Sequence, residues 1–342
     1  MAHSATTSFV SRRVNQTTFM IIEDDAFGEQ PNIFVKLYAS CLLITDTGCN
    51  TPRRKNLDVT NLRDFLEQCP VPANENKPLN PKGSKRYVII CSHCHYDHIL
   101  GIPPFLSTNP TIIASAFGKS YILDDLPSHS LCKSINVPTP KYNVSYWAEQ
   151  HSYLPHTPEG KPFRIQFLNI PGHTPCSLAW YDIDERHLYV GDTFYERKRA
   201  VPIPELPSDS GPVPGLPATN AAIIFDNLGG NWIQYMSSLE LLLSFTQHQN
   251  SHLRQQYDLA SSGKVERVLV GSGHLTSAAD AEEMILQVQQ LFRKIISGEL
   301  QKSHSGVKAG VIYDFWTEGD DARYSVIAPR RLREEARRHF KN

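Results

Sequence analysis

Ser92-His93-Cys94-His95-Tyr96-Asp97-His98-Ile99-Leu100-Gly101 sets three histidines and an aspartate within six positions, directly after the apolar run at residues 87–91. That run, YVIIC, is continuously apolar rather than alternating, which predicts a strand covered on both faces. His93 and His95 are two apart, so on extended backbone both imidazoles project to one side. Two such nitrogens can share one metal ion, while Asp97 and His98 can turn towards a neighbouring one. Imidazole with carboxylate suits zinc, and also iron or manganese. The competing reading is a polar, histidine-rich surface loop. Four potential ligands at the end of a buried strand argue against it.

Working outward, three more segments repeat one form: an apolar strand, a glycine, then a metal-competent side chain. They are Ile170-Pro171-Gly172-His173, Leu188-Tyr189-Val190-Gly191-Asp192 and Val268-Leu269-Val270-Gly271-Ser272-Gly273-His274. Sites assembled from loops at one end of stacked sheets have this layout. Other strands are expected at 18–22, 33–45, 111–115, 164–169, 178–182, 187–190, 222–225 and 265–270. Helices are expected at 60–67, 232–245, 278–296 and 329–339. Ser277 would cap the third of these, with Asp280 completing a capping box and Gly298 just past the end. The arginines at 330, 331, 333, 337 and 338 mark the last helix as a solvated face. The stretch 70–81, rich in proline and asparagine, reads as a loop. Residues 201–217 hold six prolines and read as a loop bordering a site. Nothing resembles a linker, so a single domain spanning 1–342 is expected. Its core would run over about 17–300, with strands and a helix of 310–340 packed on it.

These residues resemble the metallo-β-lactamase-fold superfamily, whose signature H-x-H-x-D-H is matched at His93, His95, Asp97 and His98. The further family motifs are matched at Asp46, His173, Asp192 and His274. The resemblance implies an α/β fold, an αββα sandwich of two mixed β-sheets with the metals at one edge. It implies two divalent metal ions, zinc before iron or manganese. His93, His95 and His173 would bind the first, Asp97, His98 and His274 the second, and Asp192 would bridge them. Asp46 would take a structural, hydrogen-bonding task near the metal loop. A bridging aspartate is unlike the antibiotic-cleaving members and resembles the lactonase, glyoxalase II and RNA-processing branches. Tyr195, three residues beyond Asp192, matches a lactonase tyrosine that donates to the developing oxyanion. The segment 23–37 is similar to fungal members, which implies secondary metabolism or detoxification.

Composition narrows the partners. Thirty-four lysines and arginines stand against 35 aspartates and glutamates in 342 residues. Such balance gives no electrostatic footprint for nucleic acid or an anionic membrane. Apolar residues make up 40% and charged ones 20%, which permits a packed core and excludes wholesale disorder. No apolar run approaches the roughly 18–20 residues of a membrane span, and the amino terminus does not read as a secretory signal. The seven cysteines form no disulfide framework. Cys91 and Cys94 spell C-x-x-C, but no second such pair completes a zinc site, so a reducing, cytoplasmic setting is expected. The expected activity is opening of a cyclic ester or amide in a small, apolar or aromatic molecule. Asp97 would move the proton to the leaving group and Tyr195 would hold the oxyanion. The alternatives are a thioesterase and a non-enzymatic metal-binding scaffold. Pocket walls are expected from 103–109, 117–153 and 201–217.

Overall fold

The computed structural model describes residues 5–157, 159–203, 206, 222–258 and 266–341. Seven strands form the first sheet in chain order: β1 (Phe9–Arg13), β2 (Thr18–Glu23), β3 (Asn32–Leu37), β4 (Cys41–Thr45), β5 (Arg86–Ile90), β6 (Thr111–Ser115) and β7 (Tyr146–Ala148). Neighbours are antiparallel from β1 to β4 and parallel from β4 to β7. Parallel neighbours need crossovers. These carry α1 (Leu62–Gln68) before β5, α2 (Tyr96–Ile99) before β6, and α3 (Lys119–Asp124) and α4 (Leu126–His129) before β7. The stretch 33–45, expected as one strand, is two. Tyr38 N–H donates to the Cys41 carbonyl at 3.0 Å, which turns the chain so that Phe34 pairs with Thr45. β1, ahead of the expected core boundary near residue 17, is one of this sheet's two edge strands.

The second sheet runs β13 (Ala279–Asp280), β12 (Leu269–Gly271), β10 (His187–Tyr189), β9 (Leu178–Asp182) and β8 (Ile165–Asn169). The strands expected at 222–225 and within 310–340 join in a third sheet of their own, which sets β11 (Ile223–Ile224) beside β16 (Ser325–Pro329), β15 (Val311–Thr317) and β14 (His304–Lys308). Three longer helices follow: α5 (Trp232–Asp258), α6 (Ala281–Ser297) and α7 (Arg330–Lys341).

The apolar side chains sort into the layers of an αββα sandwich. On β5, Tyr87 and Ile89 point to a cluster with Leu62, Phe65 and Leu66 of α1. Val88 and Ile90 point the other way, to Phe167, Leu178, Trp180 and Tyr189 of the second sheet. This explains the unbroken apolar run, since both faces are covered. The far face of the second sheet, with Leu168, Tyr181, Leu188 and Val270, packs on α5 and α6 together with Trp316, Val326 and Leu332. Full burial of each such side chain is worth about 1.5–3 kcal/mol. Helix α6 starts at Ala281 rather than 278. Its cap is Asp280, which accepts from Glu283 N–H, because Ala279 and Asp280 are held in strand pairing with β12. Gly298 closes the helix in the left-handed region. No helix among the described residues is long and apolar enough to cross a membrane. All seven cysteines are free and buried.

β3 ties the two facing sheets at both of its ends. Its inward side chains are Asn32, Phe34 and Lys36, alternate residues of the strand. Lys36 Nζ meets Asp182 Oδ2 of β9 at 2.6 Å, both groups fully buried. At the opposite end, Asn32 N–H donates to the Gly273 carbonyl at 2.6 Å and Asn32 Nδ2 to the Ser272 carbonyl at 3.0 Å. Phe34, between them, meets Tyr189 edge-on with ring centroids 4.7 Å apart.

His187 gives a pH test of this packing. It is buried in β10 and stacked on Tyr189. Burial pushes its pKa down to about 3, against an ordinary value of about 6.5. The fold therefore favours neutral imidazole. This stabilisation is complete above about pH 6.5 and is lost as pH falls towards 3, at up to about 1.4 kcal/mol per pH unit. Between pH 7 and 5, His187→Phe is expected to lose about 2 kcal/mol less stability than the parent in urea unfolding. Equal losses in the two proteins would refute the assignment.

Candidate metal centre

Five strands of the two sheets end at one edge, and each hands over a polar side chain. β4 is followed by Asp46, β5 by His93 and His95, β8 by His173, β10 by Asp192 and β12 by His274. After His95 the chain turns at once into the single-turn α2, with His95 at its N-cap, and this brings Asp97 and His98 round beside the other ligands. The sequence-predicted ligands converge in two groups, His93, His95 and His173 in one, Asp97, His98, Asp192 and His274 in the other. All seven are buried.

In the first group His95 Nδ1 lies 3.0 Å from His93 Nε2 and 3.2 Å from His173 Nε2. Tetrahedral zinc with Zn–N bonds of 2.0–2.1 Å sets its nitrogens about 3.3 Å apart, so the spacing fits one cation. In the second, Asp97 Oδ2 lies 3.1 Å from His98 Nε2 and 3.2 Å from His274 Nε2. Asp192 Oδ1 is 3.3 Å from His98 Nε2, its Oδ2 is 3.2 Å from His274 Nε2, and that same oxygen is 4.0 Å from His93 Nε2. One carboxylate thus faces both groups.

The hydrogen bonds behind the ligands fix which nitrogen faces the centre. Ser92 Oγ donates to Asp46 Oδ2 at 2.7 Å and so accepts from His93 Nδ1 at 3.0 Å. His98 Nδ1 donates to Asp46 Oδ2 at 2.9 Å, and His274 Nδ1 to the Glu29 carbonyl at 3.0 Å. In all three rings a hydrogen sits on Nδ1, so Nε2 is the nitrogen that would meet a bound cation. Asp46 also accepts from Ser92 N–H at 2.8 Å, so it braces the metal loop from beneath.

Charge follows the same division. Burial, then the neighbouring imidazoles of His98 and His95, hold His93 well below the usual histidine range, and burial brings His173 down to about 4. In the second group burial opposes charge, but Asp192 and Asp97 outweigh it and raise His274 to about 10. His98 is raised well above its ordinary value by Asp97, Asp192 and Asp46, again against burial. Asp97 and Asp192 are correspondingly held well below the carboxylate range by those two histidines, against burial. Protons on His98 and His274 balance the two aspartates, and a bound cation would take over that balance and release them.

Not every expected residue takes its expected place. Tyr195 packs beside His274, ring centroids 5.3 Å apart, but its hydroxyl donates to the Ala222 carbonyl at 2.6 Å. Its one hydrogen is therefore committed to backbone rather than to an oxyanion. Residues 103–109 do not form a wall of the site. Pro103–Thr108 is a short 3₁₀ helix bound to α1 through Arg63, with Phe105 against Tyr87 on the outer face. The 117–153 segment does cover the metal loop, since Leu131, Ile135 and Val137 pack around Cys49 and Tyr96. Most of 201–217 lies outside the described residues. Two polar neighbours escaped the sequence reading. Tyr96 hydroxyl donates to Glu29 Oε1 at the rim, and Asp226 Oδ2 stands 3.3 Å from His95 Nε2. The signal for Asp226 was slight, an aspartate ahead of Asn227-Leu228-Gly229-Gly230 in a turn.

The sequence model of the family described as the metallo-beta-lactamase superfamily matches residues 158–247. A protein of Aspergillus versicolor, avaE, named as a transcription factor, is 30% identical over 98% of this chain and 90% of its own length. "Probable metallo-hydrolase Rv2300c" of Mycobacterium tuberculosis is 26% identical over 46% of this chain and 54% of its own. Among solved structures, the archaeal metallo-beta-lactamase superfamily protein ST1585 of Sulfolobus tokodaii aligns with 14% identity and a TM-score of 0.45. That alignment covers 82% of this chain and 87% of the other.

Proposed function

This chain belongs to the metallo-beta-lactamase superfamily, and on that premise we propose that it is a binuclear hydrolase opening a cyclic ester or amide in a small molecule. The observation that carries the reading is Asp192, one buried carboxylate facing two complete ligand groups. Two divalent cations, zinc in this proposal, would supply Lewis-acid polarisation of a carbonyl and a water acidified towards neutrality. The chain's own part is to hold those groups and exclude competing water. Asp97 turns its Oδ2 towards both His98 and His274, and in this proposal its other oxygen would pass a proton to the leaving group. Tyr195 holds the Ala222 carbonyl and so fixes the entry to β11 beside the site. The free, buried thiols fit the reducing cytoplasm proposed as its location.

Thioester cleavage is the nearest alternative, and it would call for basic anchors such as Arg197, Lys198 and Arg199. Lys198 is exposed, while the two arginines are already engaged. Arg197 donates to the carbonyls of Gly319 and Asp320 at 3.1 and 2.8 Å, and Arg199 to Asn32 Oδ1 at 2.7 Å. The transcription-factor name of the Aspergillus relative has no counterpart in this chain's charge, 34 basic against 35 acidic side chains.

The test is hydrolysis of an aromatic lactone, an aromatic lactam and S-lactoylglutathione, with metal content measured on the same sample. Two equivalents of metal and a higher kcat/KM for a ring substrate are expected. A tenfold preference for the thioester, about 1.4 kcal/mol in transition-state binding, would move the protein to the thioesterase reading. One equivalent under metal-replete conditions would refute the binuclear centre.

A further inference from the structure

Resting on the metal-centre reading above, we propose that Asp226 is a positioning residue that locks His95 in its ligating tautomer. His93, His98 and His274 carry hydrogen on Nδ1 and turn Nε2 inward. His95 is reversed: its Nδ1 faces His93 and His173, and its Nε2 points away. A neutral imidazole has one hydrogen, so His95 can ligate only if that hydrogen stays on Nε2. Something on the far side must hold it there.

Asp226 is placed for that task. It follows β11, and its Oδ1 accepts from the N–H groups of Leu228 and Gly229, the latter at 2.7 Å. That clamps the carboxylate plane and leaves Oδ2 aimed at His95. Oδ2 is buried and 3.3 Å from His95 Nε2, and neither atom has a hydrogen-bond partner elsewhere among the described residues. A buried carboxylate oxygen without a donor is costly, and an imidazole N–H directed at Oδ2 would satisfy both groups. Carboxylate–histidine–metal arrangements of this kind fix tautomer and ring orientation. Asp226 contributes to the His93–His95–His173 group alone, since the second group is braced by Asp46 and Glu29.

Asp226→Asn separates this role from a merely structural one. Asparagine Oδ1 can keep accepting from Leu228 and Gly229, so the turn survives. Its amide NH₂ then faces His95 Nε2 and needs an acceptor there, which drives the ring hydrogen to Nδ1 and blocks ligation. The experiment titrates metal-free protein with Zn²⁺ against a chromophoric chelator and records melting of the metal-free forms. In the parent, two equivalents are expected. In Asp226→Asn, one equivalent should weaken by about 10–100-fold, the other far less, with the metal-free melting temperature unchanged. Asp226→Ala should give the same one-site loss and stands in if the asparagine variant does not fold. Unchanged affinities overturn the inference, and so does equal weakening of both sites with a lowered melting temperature. A parent that binds no second equivalent would instead overturn the binuclear reading itself.

Discussion

Asp192→Ala is expected to lose metal and turnover together, with kcat/KM down about a thousandfold or more, equivalent to about 4 kcal/mol of transition-state stabilisation. Its two oxygens lie 3.3 Å from His98 Nε2 and 3.2 Å from His274 Nε2, and the second reaches His93 at 4.0 Å. Removal therefore strips both ligand groups of their common member. It also leaves two buried imidazoles with less negative charge to balance them, so the pKa of His274 should fall from about 10. The fold itself should persist, because the residue lies in a turn beyond β10. Metal analysis beside kcat/KM on the best substrate checks this. A variant with two equivalents of metal and a tenth of parental activity would refute the bridging role.

A smaller chemical change should do comparable damage. Gly273→Ala would place its new methyl group 2.1 Å from Asp192 Oδ1 and 2.9 Å from His98 Cε1. Neither distance is sterically possible, and the backbone cannot retreat. Gly273 N–H donates to the Gly191 carbonyl at 2.8 Å, and its own carbonyl accepts from Asn32 N–H at 2.6 Å. The bridging carboxylate must move instead. Overpacking of this kind costs about 1–3 kcal/mol in stability, but the larger effect is expected on the centre, a loss of about a hundredfold in kcat/KM, since misplacement by about 1 Å can cost that much. Activity within threefold of the parent would show that the loop has room the geometry denies.

What could be read from the sequence was what is written locally. His93, His95, Asp97 and His98 are legible because one strand and one helical turn present them, and His173, Asp192 and His274 because each follows its own apolar strand past a glycine. Asp226 was not legible, because its meaning depends on lying 3.3 Å from a histidine 131 positions earlier. The same holds for Lys36 and Asp182, each unremarkable in its strand and explicable only as a pair across the sheets. Helix α5 runs to Asp258 rather than 245 because its later turns are polar and give no apolar period to follow. Ser277 was read as a cap from its capping-box spacing to Asp280, and the short pairing of β13 with β12 gave that place to Asp280 itself.

The alternation along β3 has a consequence for how the halves of the centre find each other. His93, His95, Asp97 and His98 ride on one sheet, and His173, Asp192 and His274 on the other. The apolar contacts between the sheets are non-directional and would tolerate sliding by a pleat. Asn32 and Lys36 would not, because a one-residue slip turns them both towards the aliphatic layer over α1 and brings Ile33 and Val35 in against Asp182. The two polar residues are about 13 Å apart along the strand, one anchored to the His274 loop and the other to the distant end of β9. They act as two pegs of a jig, and a jig with two pegs fixes translation and rotation at once. The alignment of seven ligands to within tenths of an ångström is in this sense set partly at Lys36, a residue that touches none of them.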